Sequence, residues 1–194
     1  MDPAFSLSNY VIKPQGLSLG GKYCVYGPQN EPVLYVEFKT KWKAPYQTYH
    51  VYSDEKKQHE VLQIQDRENT GFVNYFDVTD IITGGKVGGV SADWSKFFED
   101  AWCILNAEDA VIGRVRESSA GRAILHELTN GALPQTMKIM MGDQQVAELK
   151  QKSVMMGHHL LVDFSMDTTG SLDRRLGLAA AFIIAVHQTT TESA

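Results

Sequence analysis

The chain has little cysteine, no long apolar run and no excess of positive charge, and each shortage removes a class of protein. Only two cysteines occur in 194 residues, Cys24 and Cys103. They form no CxxC pair, and the first ten residues hold no basic stretch followed by an apolar one, so the reading is of free thiols in a reducing cytosol. The longest wholly apolar run, Leu176 to Val186, is eleven residues. A helix needs roughly 18 to 20 to cross a bilayer. Lys and Arg number 18 against 23 Asp and Glu, a net charge of −5, the wrong sign for holding nucleic acid by bulk electrostatics. An anionic partner must therefore be met by a local patch.

Catalytic signatures are missing as well. There is no GxSxG elbow, no GxxxxGK[ST] loop and no GxGxxG unit, and neither cysteine stands in a nucleophile signature. Gly84-Gly85-Lys86-Val87-Gly88-Gly89 reads as a turn between strands. His158 and His159 would point to opposite faces of a strand and cannot chelate together, while His50, His59, His126 and His187 are scattered. The expectation is a protein that is not an enzyme and holds no cofactor or metal.

What is present is short runs of alternating residues broken by turn clusters, the pattern of an antiparallel meander. The turns are Gly27-Pro28-Gln29-Asn30, Ser53-Asp54-Glu55-Lys56, Asn106-Ala107-Glu108-Asp109, Asn130-Gly131 and Gly142-Asp143. Between them the pattern predicts strands over 23–26, 33–41, 48–52, 60–65, 72–78, 87–90, 102–105, 111–117, 137–141, 146–152 and 158–164. A short helix is predicted over 120–128. Leu172 to His187 reads as a helix capped by Ser171, with Asp173 in its first turn. Because it is apolar all round, it must be buried on every side. A β-barrel filled by its own C-terminal helix meets that demand, since a wide barrel cannot be filled by strand side chains alone.

Two hairpins resemble each other. Tyr23-Cys24-Val25-Tyr26 with Val33–Glu37 is echoed by Trp102-Cys103-Ile104-Leu105 with Val111–Arg116, the cysteines 79 residues apart and the valines that open the second strands one residue less. A true repeat would give the barrel two similar halves.

Three segments carry a family likeness: Tyr75-Phe76-Asp77-Val78 with Thr83–Gly88, Trp102-Cys103-Ile104-Leu105-Asn106-Ala107 through Val115, and Leu172-Asp173-Arg174-Arg175-Leu176 leading into the apolar helix. In order and separation they resemble the tubby C-terminal-like superfamily, and within it the phospholipid scramblase-related and LURP-one-related proteins of prokaryotic type. The likeness covers about residues 22–186. It implies a mainly β fold, twelve antiparallel strands wrapped around a central C-terminal helix, and it implies binding to phosphoinositides or other anionic lipids through basic residues on the barrel exterior. The chain departs from the scramblase pattern in having no cysteine-rich segment and no proline-rich extension. In place of an acidic calcium loop it has Asp163-Phe164-Ser165-Met166-Asp167-Thr168-Thr169-Gly170-Ser171-Leu172-Asp173, which lacks the alternating oxygen ligands and final Glu such a loop needs.

The domain reading is an N-terminal segment over 1–21, one barrel over 22–188 and a polar tail over 189–194. The most function-like stretch is Phe38-Lys39-Thr40-Lys41-Trp42-Lys43. On a strand Lys39, Lys41 and Lys43 share one face, where they would grip a lipid headgroup, with Arg114, Arg116 and Arg122 as the second choice. The plain alternative is a strand kept soluble by lysine. The function expected is lipid-headgroup binding at the periphery of a membrane by a cytoplasmic protein. The alternative is a protein-interaction or scaffold domain that binds a protein partner and has no lipid role.

Overall fold

The structure, a computed structural model, describes residues 2–16, 21–38, 47–67, 73–93, 102–117, 136–154 and 157–191. The predicted helix over 120–128 and the turn at Asn130-Gly131 lie outside them.

Twelve strands form a closed antiparallel barrel. They are β1 (Asn9–Pro14), β2 (Lys22–Tyr26), β3 (Pro32–Phe38), β4 (Thr48–Tyr52), β5 (Glu60–Asp66) and β6 (Val73–Asp80), then β7 (Lys86–Asp93), β8 (Trp102–Leu105), β9 (Val111–Glu117), β10 (Thr136–Met141), β11 (Gln144–Val154) and β12 (Gly157–Asp163). Each strand pairs with its sequence neighbours, and β1 closes the ring by pairing with β12. The strand β1 corrects the expected domain boundary, because a segment placed outside the barrel supplies its closing strand. Five hairpins lie at one end, called here the hairpin end, and each shifts register just before its turn. Such bulges bend and twist the strand, which helps the sheet to close.

The barrel is filled by the helix α1 (Arg174–Thr191), which begins at the hairpin end directly after β12. Inward-facing Ile12, Val25, Leu34, Val51, Ile64, Val90, Ile104, Ile139 and Leu149 are each buried to 1% exposure or less, as are Leu178 through Ile183 on the helix. The outward positions of the same strands include His50, Gln63, Gln65, Lys138, Glu148 and Lys150. That is apolar inside and polar outside, the reverse of a lipid-embedded barrel. Among the described residues no helix is long and apolar enough to cross a membrane.

Two glycines let the helix seat. A Cβ on Gly177 would stand 2.5 Å from the Phe164 ring, and one on Gly88 of β7 would stand 2.3 Å from the Leu105 carbonyl oxygen and 3.1 Å from Leu176. Gly88 also has φ +154, which L side chains rarely adopt.

The helix cap differs from expectation. Asp173, not Ser171, is the N-cap: its carboxylate accepts from Arg175 N at 2.9 Å and its carbonyl from Gly177 N at 3.1 Å. Ser171 instead donates, through both N and Oγ, to Asp167 at 2.8 Å.

The two predicted halves are present in the strand register. Cys24↔Tyr35 and Val25↔Leu34 become Cys103↔Arg114 and Ile104↔Gly113 at a constant offset of 79, and the bulge at Val25/Tyr26 recurs at Ile104/Leu105. The turns match too: Gly27 N to Glu31 O at 2.8 Å is repeated by Asn106 N to Ala110 O at 2.9 Å, with Asn30 and Asp109 both at positive φ. The one-residue mismatch between the valines disappears, because Pro32 rather than Val33 is the structural equivalent of Val111. Around the rest of the ring, β3/β4 matches β9/β10, β4/β5 matches β10/β11, and β6/β7 matches β12/β1. Strands β1–β6 and β7–β12 are thus two copies of one six-stranded unit around a shared helix.

Candidate anion-binding face

Lys39, Lys41 and Lys43 lie outside the described residues, beginning one position after the last residue of β3, and so does Arg122. The second-choice residues Arg114 and Arg116 are described, and the register brings other bases to them.

On β9, Val115 points inward at 4% exposure, so Arg114 and Arg116 point outward. Arg116 lies directly opposite Lys138 of β10, and Lys138 lies opposite Glu148 of β11. Lys150, on the outer side of β11, pairs with Thr136, two residues from Lys138 along β10, within diagonal reach of it. Lys152 pairs with His159 of β12. On β1, Lys13 lies beside the same cluster; its Nζ donates to Asn30 Oδ1 at 3.0 Å and sits 4.0 Å above the Tyr26 ring. The outer face of β9–β12 and β1 therefore carries Arg114, Arg116, Lys138, Lys150, Lys152 and Lys13, together with the carboxylates Glu148 and Asp163, which lie opposite each other. Partial burial, then the nearby charges of Lys13 and Lys152, push the His159 imidazole below its ordinary range.

The two-fold makes this face informative, because the same positions exist in the first half with different chemistry. Arg114 replaces Tyr35, Arg116 replaces Glu37, Lys138 replaces His50, and Met140 replaces Tyr52. In the first half the charges are neutralised locally: Glu37 is ion-paired with Lys57, and His50 Nδ1 is 2.7 Å from Glu60 Oε1. The position of Glu60 is taken by Gln145 in the second half.

Between the two copies, the cations of β5 to β7 are likewise closed. Arg67 Nε donates to Asp77 at 2.7 Å, and Lys86 Nζ reaches Asp77 at 2.9 Å and Asp109 at 2.7 Å. Hydrogen bonds from Arg67 and Lys86 hold the Asp109 carboxyl at about 2.

Beside the basic face lies an open depression of about 350 Å³, walled by Val111, Ile112, Arg114, Arg116, Met140 and Asp143. Two differences from the first half bear on it. The tyrosines of β3 and β4 are replaced by Arg114 and Met140, and the connection over 53–59 shrinks to Gly142-Asp143. Gly113 lets β9 lie close to β10: a Cβ there would be 2.8 Å from Met141 Sδ and 3.0 Å from the Met140 carbonyl oxygen.

The segment resembling a degraded calcium loop has a structural task. Asp167, 5% exposed, accepts from Ser171 N, Ser171 Oγ and Leu172 N, and from Arg174 Nη1 at 2.7 Å. Burial alone raises this carboxyl, but those donors outweigh it and hold it at about 2. Arg174 in turn stacks on Phe164 at 4.6 Å. Asp80 plays a matching part across the barrel: its carboxylate accepts from Ile82 N and Thr83 N in the β6–β7 turn and from Arg175 of the helix. Cys24 is buried and Cys103 half-buried, both as free thiols. Among the described residues no group of three metal-ligating side chains occurs.

No protein-family model matches the chain, and no curated protein matches it. The barrel and its charged face therefore carry the functional reading.

Proposed function

We propose that this chain is a non-enzymatic barrel of the tubby-like, scramblase-related kind that binds anionic phospholipid headgroups through the outer face of β9–β12 and β1. The single observation that carries the reading is the charge difference between the two copies of the repeat. Where the first has tyrosine, glutamate and histidine, the second has Arg114, Arg116 and Lys138, flanked by Lys150 and Lys152. This concentrates positive charge on one side of a chain whose net charge is −5. Near an anionic membrane each such lysine contributes about 1 kcal/mol.

The position of the face supports the same reading. Arg116, Lys150 and Lys152 lie toward the end away from the hairpins, whereas the Lys13 ammonium reaches Asn30 in the β2–β3 turn, and Glu31, Glu55, Glu108 and Asp143 sit in or beside the hairpin turns. Lys39, Lys41 and Lys43, which follow β3 in the sequence, belong to the proposal as a second contact.

The test is flotation of the full chain with vesicles of neutral phosphatidylcholine and with vesicles containing an anionic phospholipid. Recruitment to the anionic vesicles alone is expected, unchanged by a calcium chelator. It should weaken as salt shortens the screening length from about 10 Å at 0.1 M to about 3 Å at 1 M. Absence of recruitment at low salt would leave the protein-interaction reading in its place.

A further inference from the structure

We infer that the depression between β9 and β10 is a site for phosphate esters that carry an ammonium group, the chemistry of an aminophospholipid headgroup. The inference rests on the reading that this side of the barrel takes anionic headgroups, and it names which ones. A purely basic patch would select for negative charge alone. This depression is not purely basic, because Asp143 stands in its wall together with Arg114 and Arg116.

The three charges are in order along the barrel. Arg116 lies nearest the end away from the hairpins, Arg114 two residues above it on β9, and Asp143 in the turn at the hairpin end. Arg114 lies opposite Met140, and Asp143 follows three residues later. A guanidinium suits a phosphate because its planar donors match two of the phosphate oxygens. A carboxylate suits an ammonium group. Ile112 and Met140 form the wall between and would cover the carbons that join phosphate to amine.

The order also fits a lipid presented from the end away from the hairpins. Its glycerol would stay toward the membrane, its phosphate would meet Arg116 and Arg114, and its amine would reach up to Asp143. In the first half of the barrel the equivalent positions are Tyr35 and Tyr52, and the connection over 53–59 is longer.

The same chemistry comes from a lipid headgroup or from a free ester, so the experiment has two arms. In the first, the full chain is titrated calorimetrically with phosphoethanolamine and with ethyl phosphate, which share the phosphate and two-carbon arm and differ in the amine. Wild type should prefer phosphoethanolamine about two- to fivefold, the range an exposed ion pair supplies. Asp143→Asn should bring that ratio to about one, because only the amine contact is lost, and leave ethyl phosphate bound as well or better. Arg114→Gln and Arg116→Gln, each checked for a native circular dichroism spectrum, should weaken both esters. Equal affinity for the two esters, binding of neither, or a preference that survives Asp143→Asn overturns the inference.

The second arm is flotation with anionic vesicles. Recruitment to vesicles without discrimination between the esters defeats the inference and leaves the membrane reading intact. Discrimination between the esters without recruitment supports the site, assigns it to a free ester, and removes the membrane.

Discussion

The seating of the helix in the barrel depends on Asp167, and its loss should be measurable as a pH-dependent fall in stability. The Asp167 carboxylate has no exposed side-chain surface and pairs with Arg174, whose side chain is 16% exposed. Its carboxyl is held at about 2 against an ordinary 3.8. A group whose folded pKa is depressed stabilises the fold above its unfolded pKa and loses that contribution as pH falls through the folded one. Each pKa unit is about 1.4 kcal/mol, so the carboxylate contributes about 2–3 kcal/mol at neutral pH, and the contribution fades between about pH 4 and pH 2. Asp167→Asn keeps the shape and one oxygen for Ser171 but leaves Arg174 without its counter-charge. Urea unfolding followed by tryptophan fluorescence should therefore show a variant less stable by about 2–3 kcal/mol at pH 7. The gap to wild type should narrow to under about 1 kcal/mol at pH 2, where the wild-type carboxyl is itself half protonated. Equal urea midpoints at pH 7, or a gap that does not change with pH, would show that the buried pair does not hold the helix.

Three further outcomes follow from other contacts. Gly88→Ala would place a methyl group against the Leu105 carbonyl and Leu176 at a backbone angle that suits glycine, and thermal unfolding should show a loss of about 2–4 kcal/mol; an unchanged Tm would refute the close approach of β7 to the helix. Ile183→Asp puts an uncompensated charge at a position with 0% exposure, so the chain should be recovered only as aggregate, whereas a soluble protein with native circular dichroism would contradict the buried helix. Histidine NMR should show His159 moving part of the way back up toward its ordinary range when anionic vesicles are added, because burial depresses it most but the anion offsets the added depression by the charges of Lys13 and Lys152. A titration curve that vesicles leave unmoved would place the anion elsewhere.

Much of the fold is legible in the chain because its signals are local. The alternation along β5 or β11 and the turn residues at Gly27–Asn30 and Asn106–Asp109 each declare themselves within ten residues, and the apolar run after Leu176 needs no partner to be read as a buried helix. The misses are the features that depend on distant chain. Asn9–Pro14 is short and ends in proline, and its place as the closing strand of the ring is fixed by β12, some 150 residues away. Ser171 is as good a cap by type as Asp173, and the choice is decided by Asp167, which takes both of its donors. Asp80 and Arg175 stand 95 residues apart and meet only because the β6–β7 turn lies where the helix begins.

The basic face has the same history. Arg114 and Arg116 stand out in sequence only as a pair on one strand, while Lys138, Lys150 and Lys152 look like ordinary surface lysines on two others. Register across β9, β10 and β11 gathers them, and comparison with the first half shows that the gathering is not a requirement of the barrel. The offset of 79 between the two cysteines carries Glu37 onto Arg116, but the next connections differ in length, so the equivalence of His50 with Lys138, 88 residues on, cannot be counted along the chain.

The most direct test of the account sets two triple variants side by side in vesicle partitioning at low salt: Lys138→Gln/Lys150→Gln/Lys152→Gln, and Lys39→Gln/Lys41→Gln/Lys43→Gln. At about 1 kcal/mol per lysine, loss of the first set should lower the partition coefficient onto anionic vesicles by about a hundredfold. The account predicts that this variant, with a wild-type Tm, loses recruitment at least as severely as the second. Wild-type partitioning by the Lys138/Lys150/Lys152 variant would contradict the claim that the second half of the barrel carries the membrane-binding face.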